Sequence, residues 1–160
     1  MPDANAQFLD RAIELSLTDI EAPYARPFGA VVVFEGAIVA EAFNTAARSN
    51  DPTAHAEVNA IRAACVRFAS HRLPENCQLY SSAEPCPMCF AASFWAGIAE
   101  IYFAVPSQEQ SKYGFGDDEL ASLLGANRPR GTRLETANFD RAEEAFRRWV
   151  ASHPDPQATA

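Results

Sequence analysis

The chain has 160 residues, of which 48% are apolar and 21% charged, and these values exclude a chain that is disordered as a whole and a fibrous repeat. Its net charge of −8 argues against a polyanionic substrate, because nucleic-acid binders normally present a basic surface. No apolar run approaches the roughly 20 residues that a bilayer span needs, and the first residues lack the features of a secretory signal. We therefore expect one cytoplasmic domain over 1–160, with a flexible tail from about 153, that acts on a small or neutral molecule rather than on nucleic acid or a membrane.

The hydrophobic pattern predicts alternating helices and strands. Apolar residues recur at helical spacing over about 6–20, and a hairpin follows at 30–43 around the Glu35-Gly36 turn. The polar stretch 44–53 is expected to be a loop. The later predicted elements are a helix from 53 or 54, a strand at 78–81, a helix over 85–97, a strand at 101–105, a helix at 117–124, a strand at 132–136 and a helix at 140–152. A hairpin followed by βαβ crossovers predicts a mixed sheet between helices, which is a three-layer α/β domain.

Two short motifs lie at the starts of predicted helices. A His-x-Glu motif occupies 55–57, and a Pro-Cys-x-x-Cys motif occupies 85–89. Cys86 and Cys89 share one face of a first helical turn, where the positive end of the helix favours thiolates. Two thiolates and an imidazole suit zinc, and three protein ligands leave one position for water. The two motifs together match the signature of zinc deaminases, with His55, Cys86 and Cys89 as ligands.

Glu57 is the natural proton carrier in this arrangement, which predicts hydrolytic deamination of an amino-substituted heterocycle. On a regular helix His55 and Glu57 would point roughly 200° apart, so they can share a pocket only beyond the helix end. The alternative is a structural zinc site closed by Cys77, His71 or Cys65, which would leave Glu57 without a task.

The sequence around these motifs adds a family resemblance. Its elements are the Pro-Phe-Gly-Ala-Val run at 27–31, the loop and motif at 49–58, the Glu-Pro-Cys-Pro-Met-Cys run at 84–89 and Trp95-Ala96. Over nearly its whole length the chain resembles the cytidine/deoxycytidylate deaminase superfamily, and within it the bacterial guanine deaminase branch. The resemblance implies an αβα sandwich with a mixed five-stranded sheet, one Zn²⁺ per subunit, and a homodimer whose pocket lies near an interface.

The resemblance also implies polar contacts to the substrate. Asn44 would hydrogen-bond the base, the N–H of Ala56 would bind its carbonyl side, and the carbonyl of Glu84 would receive the leaving amine. Asp117 matches one member of an acidic pair that the family carries after Gly-Phe, whereas Gly116 stands at the other. Residue by residue, Asn44 is also a good turn former and Asp117 a good helix cap, so these structural roles stay open.

Two aromatic residues complete the predicted pocket. The resemblance places Phe28 and Trp95 against the base, although both also have the spacing of core residues. The function implied is the conversion of guanine to xanthine and ammonia. The alternatives are deamination of tRNA adenosine, cytosine, cytidine or a pterin, and a zinc-stabilised binding module without catalysis.

Overall fold

The computed structural model describes residues 4–124, 132–134, 136 and 138–154, and helices and strands alternate along them. The helices are α1 (Ala4–Ser16), α2 (Ala46–Ser49), α3 (Ala56–Phe68), α4 (Pro87–Ala96), α5 (Ser107–Ser111), α6 (Asp118–Leu124) and α7 (Phe139–Ser152). The strands are β1 (Gly29–Phe34), β2 (Ala37–Phe43), β3 (Gln78–Ala83), β4 (Glu100–Val105) and β5 (Thr132–Arg133). Within the described ranges, every helix is too short or too polar to cross a membrane.

The strands form one mixed sheet in the order β2-β1-β3-β4-β5. Strand β1 pairs antiparallel with β2 and β3, whereas β3, β4 and β5 run parallel. This confirms the predicted α/β fold with a mixed sheet. Four strands are six or seven residues long, but the strand expected at 132–136 is reduced to a two-residue edge that pairs with Tyr102 and Phe103.

The sheet buries both of its faces. Alternate side chains of a strand point to opposite faces, so Val31 and Val33 pack with α1 and α7 while Ala30 and Val32 pack with α3. The helices therefore lie on both sides of the sheet, in the predicted three layers. The two apolar cores account for the sequence of β1, Gly-Ala-Val-Val-Val-Phe, which is apolar on both faces.

The structure corrects three local predictions. The first helix ends at Ser16 and turns carry the chain to 21, and the expected loop at 44–53 contains the short helix α2. His153, where the flexible tail was expected to begin, is buried and stacks on Trp149 with 4.5 Å between ring centroids. Its Nε2 atom lies 3.1 Å from the carbonyl oxygens of Ala22 and Pro23, so the end of α7 is fixed to the segment before β1. Most of the tail expected to be flexible, 155–160, lies outside the described residues.

Gly29 lies directly against the backbone of α1, and we expect Gly29→Ala to destabilise the fold. An added Cβ would lie 2.2 Å from the backbone oxygen of Ala12 and 2.7 Å from Leu15 Cβ, so the helix must shift. Overpacking of this kind costs about 1–3 kcal/mol of unfolding free energy, which thermal or urea denaturation measures. Gly36→Asn is the control, because that turn glycine has φ +74° with open space around it, and Asn tolerates the left-handed region. Equal stability of Gly29→Ala and wild type would contradict the packing described here.

Candidate active site

The N-termini of α3 and α4, two helices on the same face of the sheet, lie close together and carry the motif residues. His55 is the N-cap of α3 and Cys86 the N-cap of α4, and both have extended backbone dihedral angles. Cys89 lies in the first turn of α4, after Pro87 at a position where a missing N–H costs no helical bond. Because His55 lies outside its helix, its ring and the Glu57 side chain reach the same place. The condition that the sequence set for a shared pocket is therefore met.

The three predicted ligand atoms form a nearly equilateral triangle. His55 Nδ1 lies 3.7 Å from Cys86 Sγ and 3.5 Å from Cys89 Sγ, and the two sulfur atoms are 3.6 Å apart. Tetrahedral zinc with bonds of about 2.3 Å to sulfur and about 2.05 Å to nitrogen places such atoms roughly 3.5–3.8 Å apart. The donor set and its spacing therefore fit zinc.

Among the described residues, a fourth protein ligand is absent from this cluster. Over the part of the chain that the structure describes, the metal-binding group comprises His55, Cys86 and Cys89. Cys65 Sγ instead lies 3.8 Å from the carbonyl oxygen of His71, and Cys77 is buried in the core. The closed structural site that the sequence left open therefore finds no support, and a position for water remains.

The electrostatics of the cluster favour a bound cation. The hydrogen bond between the two thiols, assisted by His55, lowers the pKa of Cys86 to about 4. The same thiol–thiol contact, together with burial, raises the pKa of Cys89. The hydrogen bond to Cys86 raises the pKa of His55. These shifts arise from the close contact of the three groups, where a divalent cation can replace thiol protons.

Glu57 is a buried carboxylate beside the cluster. Its Oε1 accepts a hydrogen bond of 3.1 Å from the Ser81 hydroxyl on β3, and its Oε2 lies 3.5 Å from Cys89 Sγ. Burial, and then the charge of Cys86, raise its pKa above the ordinary value. A carboxylate with a raised pKa can both accept and return a proton near neutral pH.

The cluster opens into a cavity of about 630 Å³. His55, Glu57 and Cys86 line one part of it. Of the residues predicted to contact substrate, the structure brings Phe28, Asn44, Glu84 and Asp117 to its wall. This volume lies within the range of about 300–1,000 Å³ that is typical of small-molecule sites.

Two predicted contacts lie elsewhere. Trp95 lies outside the cavity wall on an exposed part of α4, where 74% of it is accessible and it packs edge-on against Phe94. A single chain therefore does not bring Trp95 to the base. Ala56 is the first residue of α3 and its side chain is fully buried, so it offers only its backbone N–H, which lies where helical N–H groups lack intrahelical partners.

The polar residues of the wall are tied to one another. Asn44 Oδ1 accepts a 3.0 Å hydrogen bond from Ala46 N, so Asn44 has the turn-forming role that the sequence allowed. Its Nδ2 group is the part of the side chain that can donate a hydrogen bond to a ligand. Glu84 accepts through Oε2 from Ser107 N at 2.8 Å, and its carbonyl oxygen accepts from Gln110 Nε2 at 3.0 Å. Ser107 also donates to Asp117 Oδ1 at 3.0 Å. These bonds hold the Glu84 carbonyl and the Asp117 carboxylate in place.

Sequence reasoning missed four residues of the site: Ser81, Gln110, Phe115 and Arg26. Phe115 lines the cavity and packs edge-on against Phe28 with 5.2 Å between ring centroids. The Gly-Phe-Gly run around it is the one local signal that could have identified it. The other three residues carry no local pattern: strand pairing and helix packing bring Ser81 and Gln110 to the site, and an irregular turn before β1 brings Arg26 there.

Comparisons with known proteins agree with this geometry. The family model of the cytidine and deoxycytidylate deaminase zinc-binding region matches residues 2–105, and the chain belongs to this family of zinc-binding deaminases. The chain is similar to guanine deaminase of Bacillus subtilis, with 46% identity over 110 residues, or 69% of this chain and 70% of that protein. The X-ray structure of that enzyme superposes with a TM-score of 0.71 at 36% identity, covering 88% of this chain and 92% of that chain. A tRNA-specific adenosine deaminase of Agrobacterium fabrum is 40% identical over 94 residues, or 57% of this chain and 61% of that protein.

We expect Cys86→Ser and Cys89→Ser to lose zinc, because each removes one thiolate from the triangle. Cys65→Ser is the matched control, since its thiol lies outside the metal-binding group. Elemental analysis of the purified proteins measures the metal content. Chelation of the wild type should also lower its Tm, because a metal that binds only the folded state stabilises it. Full zinc content in both cysteine variants would refute the assigned ligands.

Proposed function

We propose that the protein hydrolyses guanine to xanthine and ammonia, with one Zn²⁺ per chain held by His55, Cys86 and Cys89. The observation that carries this proposal is the buried Glu57 carboxylate beside a three-ligand cluster that opens into a cavity. The similarity to the Bacillus subtilis guanine deaminase supports the choice of base.

The chain's own groups have separate roles in this reaction. Zinc, when bound, lowers the pKa of a water molecule so that hydroxide is available near neutral pH. Glu57 would accept a proton from the attacking water molecule, deliver a proton to a ring nitrogen and later carry one to the departing ammonia. Ser81 holds the carboxylate in position for these transfers. The Glu84 carbonyl, fixed by Gln110, accepts a hydrogen bond from the leaving amine.

The remaining contacts orient the base. Phe28 and Phe115 flank the cavity and give the aromatic ring an apolar surface. Asn44 Nδ2 and the N–H of Ala56 donate to acceptors of the base, and the Asp117 carboxylate accepts from its N–H groups. Guanine offers both kinds of group around its six-membered ring, which suits a wall that mixes donors with a carboxylate.

Deamination of tRNA adenosine is the second candidate function, and the similarity to the Agrobacterium enzyme favours it. The net charge of −8 opposes it, because binding to RNA gains much of its affinity from contacts between basic residues and phosphates. Carboxylates of Glu57, Glu84, Asp117 and Glu119 line the cavity and add to the negative potential there. A free base avoids this repulsion.

We further propose that 1–160 is a single catalytic domain that forms a homodimer, works in the cytoplasm and belongs to purine metabolism. The four cysteines are free thiols, as expected in a reducing compartment. Phe94 and Trp95 expose 65% and 74% of their surfaces side by side on α4, and clustered exposed aromatic residues are typical of interfaces. A partner copy would cover them and would account for the absence of Trp95 from the cavity of its own chain.

We expect ammonia release from guanine to exceed that from adenine, cytosine, cytidine, a pterin and a tRNA anticodon stem-loop.

Glu57→Gln should keep its zinc and lose at least about 100-fold in kcat, because general acid–base catalysis typically contributes 10²–10⁴-fold. Coupled ammonia assays and elemental analysis measure the two quantities. A preference for tRNA would replace the guanine assignment, full turnover by Glu57→Gln would overturn the mechanism, and tight zinc binding without any turnover would favour a binding module.

We expect Phe94→Glu to yield a monomer, because a carboxylate at the centre of an apolar interface loses its hydration without a partner. Light scattering after size-exclusion chromatography measures the mass. Val150→Glu is the control, since this residue is also exposed but lies on α7 in the opposite layer. Wild-type protein that is monomeric at micromolar concentration would rule out the proposed dimer.

A further inference from the structure

Arg26 is the one lysine or arginine among the described residues that line the cavity. It precedes Phe28 by two residues, and the hydrogen bond of 2.9 Å from Phe28 N to the Arg26 carbonyl folds this segment tightly. That turn brings both side chains to the same cavity. An arginine among four carboxylates is chemically distinct from the rest of the wall, and its role is not explained by the zinc cluster or by Glu57.

The guanidinium group of Arg26 is fixed from behind. Its central carbon lies 5.4 Å from the centre of the Trp149 ring, in a cation–π contact. Its Nη1 donates to the Ala25 carbonyl at 2.9 Å, and Trp149 Nε1 donates to the same oxygen at 2.5 Å. Phe115 packs on Trp149 with 4.7 Å between ring centroids. Arg26 is therefore oriented by α7 and by the aromatic wall, so that it does not need to be ordered when a ligand binds.

Arg26 and the zinc ligands approach the cavity from different layers of the fold. The ligands lie at the N-termini of α3 and α4, whereas the Trp149 that holds Arg26 belongs to α7 on the other face of the sheet. A purine whose amino-bearing carbon faces Glu57 must turn its opposite edge away from the zinc cluster. In guanine that edge carries the C6 oxygen and N7, which are both acceptors.

A guanidinium group is the side chain best suited to read this edge. Its planar donors match O6 and N7 of guanine simultaneously, and it is the commonest specific contact to guanine in nucleic-acid recognition. Adenine carries an amino group in place of O6, so the N–H groups of an arginine there would face another hydrogen-bond donor instead of an acceptor. The same arginine would thus attract an oxopurine and reject an aminopurine.

We propose that Arg26 is a specificity-determining residue that binds the O6/N7 edge of the purine and selects a 6-oxopurine as the substrate. The inference rests on the proposed deamination of guanine at the same site. It goes further by assigning the carbonyl edge to a residue outside the zinc motifs, in place of the Ala56 N–H that the family resemblance implies for the carbonyl side. Arg26 does not touch the reacting carbon, so its contribution falls mainly on KM.

The test compares two bases that carry the same reactive amine. Guanine and 2-aminopurine both have the 2-amino group, but 2-aminopurine lacks the C6 oxygen. The kcat/KM ratio of guanine to 2-aminopurine is measured for wild type and for Arg26→Met, whose unbranched side chain still packs against Trp149. We expect this ratio to fall at least about tenfold, which is the discrimination that one bidentate pair provides.

Arg148→Met is the matched control. It removes an arginine that pairs with Glu21 at 2.9 Å, close to the same segment but outside the residues that line the cavity. The ratio should stay within about twofold of wild type in this control. An equal loss on both bases in Arg26→Met would indicate a purely structural role and overturn the assignment, and so would an unchanged ratio. A guanidinium can also bind phosphate, so a loss confined to guanosine monophosphate would equally overturn the assignment.

Measurements of binding alone test the Arg26 assignment independently of the proposed reaction. In the Glu57→Gln background, calorimetry measures the affinities for guanine and 2-aminopurine with and without Arg26→Met. If wild type turns over neither base while Arg26 still sets the difference in affinity, the reaction is wrong and the Arg26 assignment stands. If guanine is turned over but the affinity difference does not depend on Arg26, the assignment is wrong and the reaction stands.

Discussion

The structure depends on the meeting of two helix N-termini at one point. His55 and the two cysteines come from segments about 30 residues apart, and their ligand atoms are nevertheless held within 3.5–3.7 Å. Such close contact between two thiols and an imidazole favours a bound cation, because a divalent ion can replace thiol protons and bind all three groups. Metal binding and the packing of α3 beside α4 are therefore coupled, and Glu57 is positioned by the same packing.

The aromatic wall of the cavity is also part of the hydrophobic core. Phe28 packs edge-on against both Phe115 and Phe146, at 5.2 and 5.3 Å between centroids, and it contacts the cores on both faces of the sheet. Such pairs contribute about 0.5–1.5 kcal/mol beyond their buried area. The side chains that would contact the base are thus rigid before a ligand arrives, and changes to this wall affect stability and binding together.

The sequence predicted the parts of the site that depend on local chemistry. Helix starts can be recognised from short motifs, so the ligand set and Glu57 followed from 55–57 and 85–89 once both were placed at helix ends. Ser81, Gln110 and Arg26 could not be found in this way, because their roles arise from strand pairing and from contacts between distant helices. For Trp95 the resemblance implies contact with the base, but it does not indicate whether that contact is made within the same chain or with a partner chain. Likewise, the polar composition of 44–53 hid the helix α2, since short helices have weak patterns.

The fixing of His153 and Trp149 to the segment before β1 has a consequence for the order in which the protein can mature. The three candidate zinc ligands and Glu57 precede residue 90, whereas Trp149 lies in the last turn of α7 and His153 follows that helix, and both contact the segment before β1. On a ribosome the segment that carries these four residues emerges before α7. The candidate metal cluster can therefore assemble before Trp149 is present to orient Arg26, so the group proposed to select the base is the later one to be fixed.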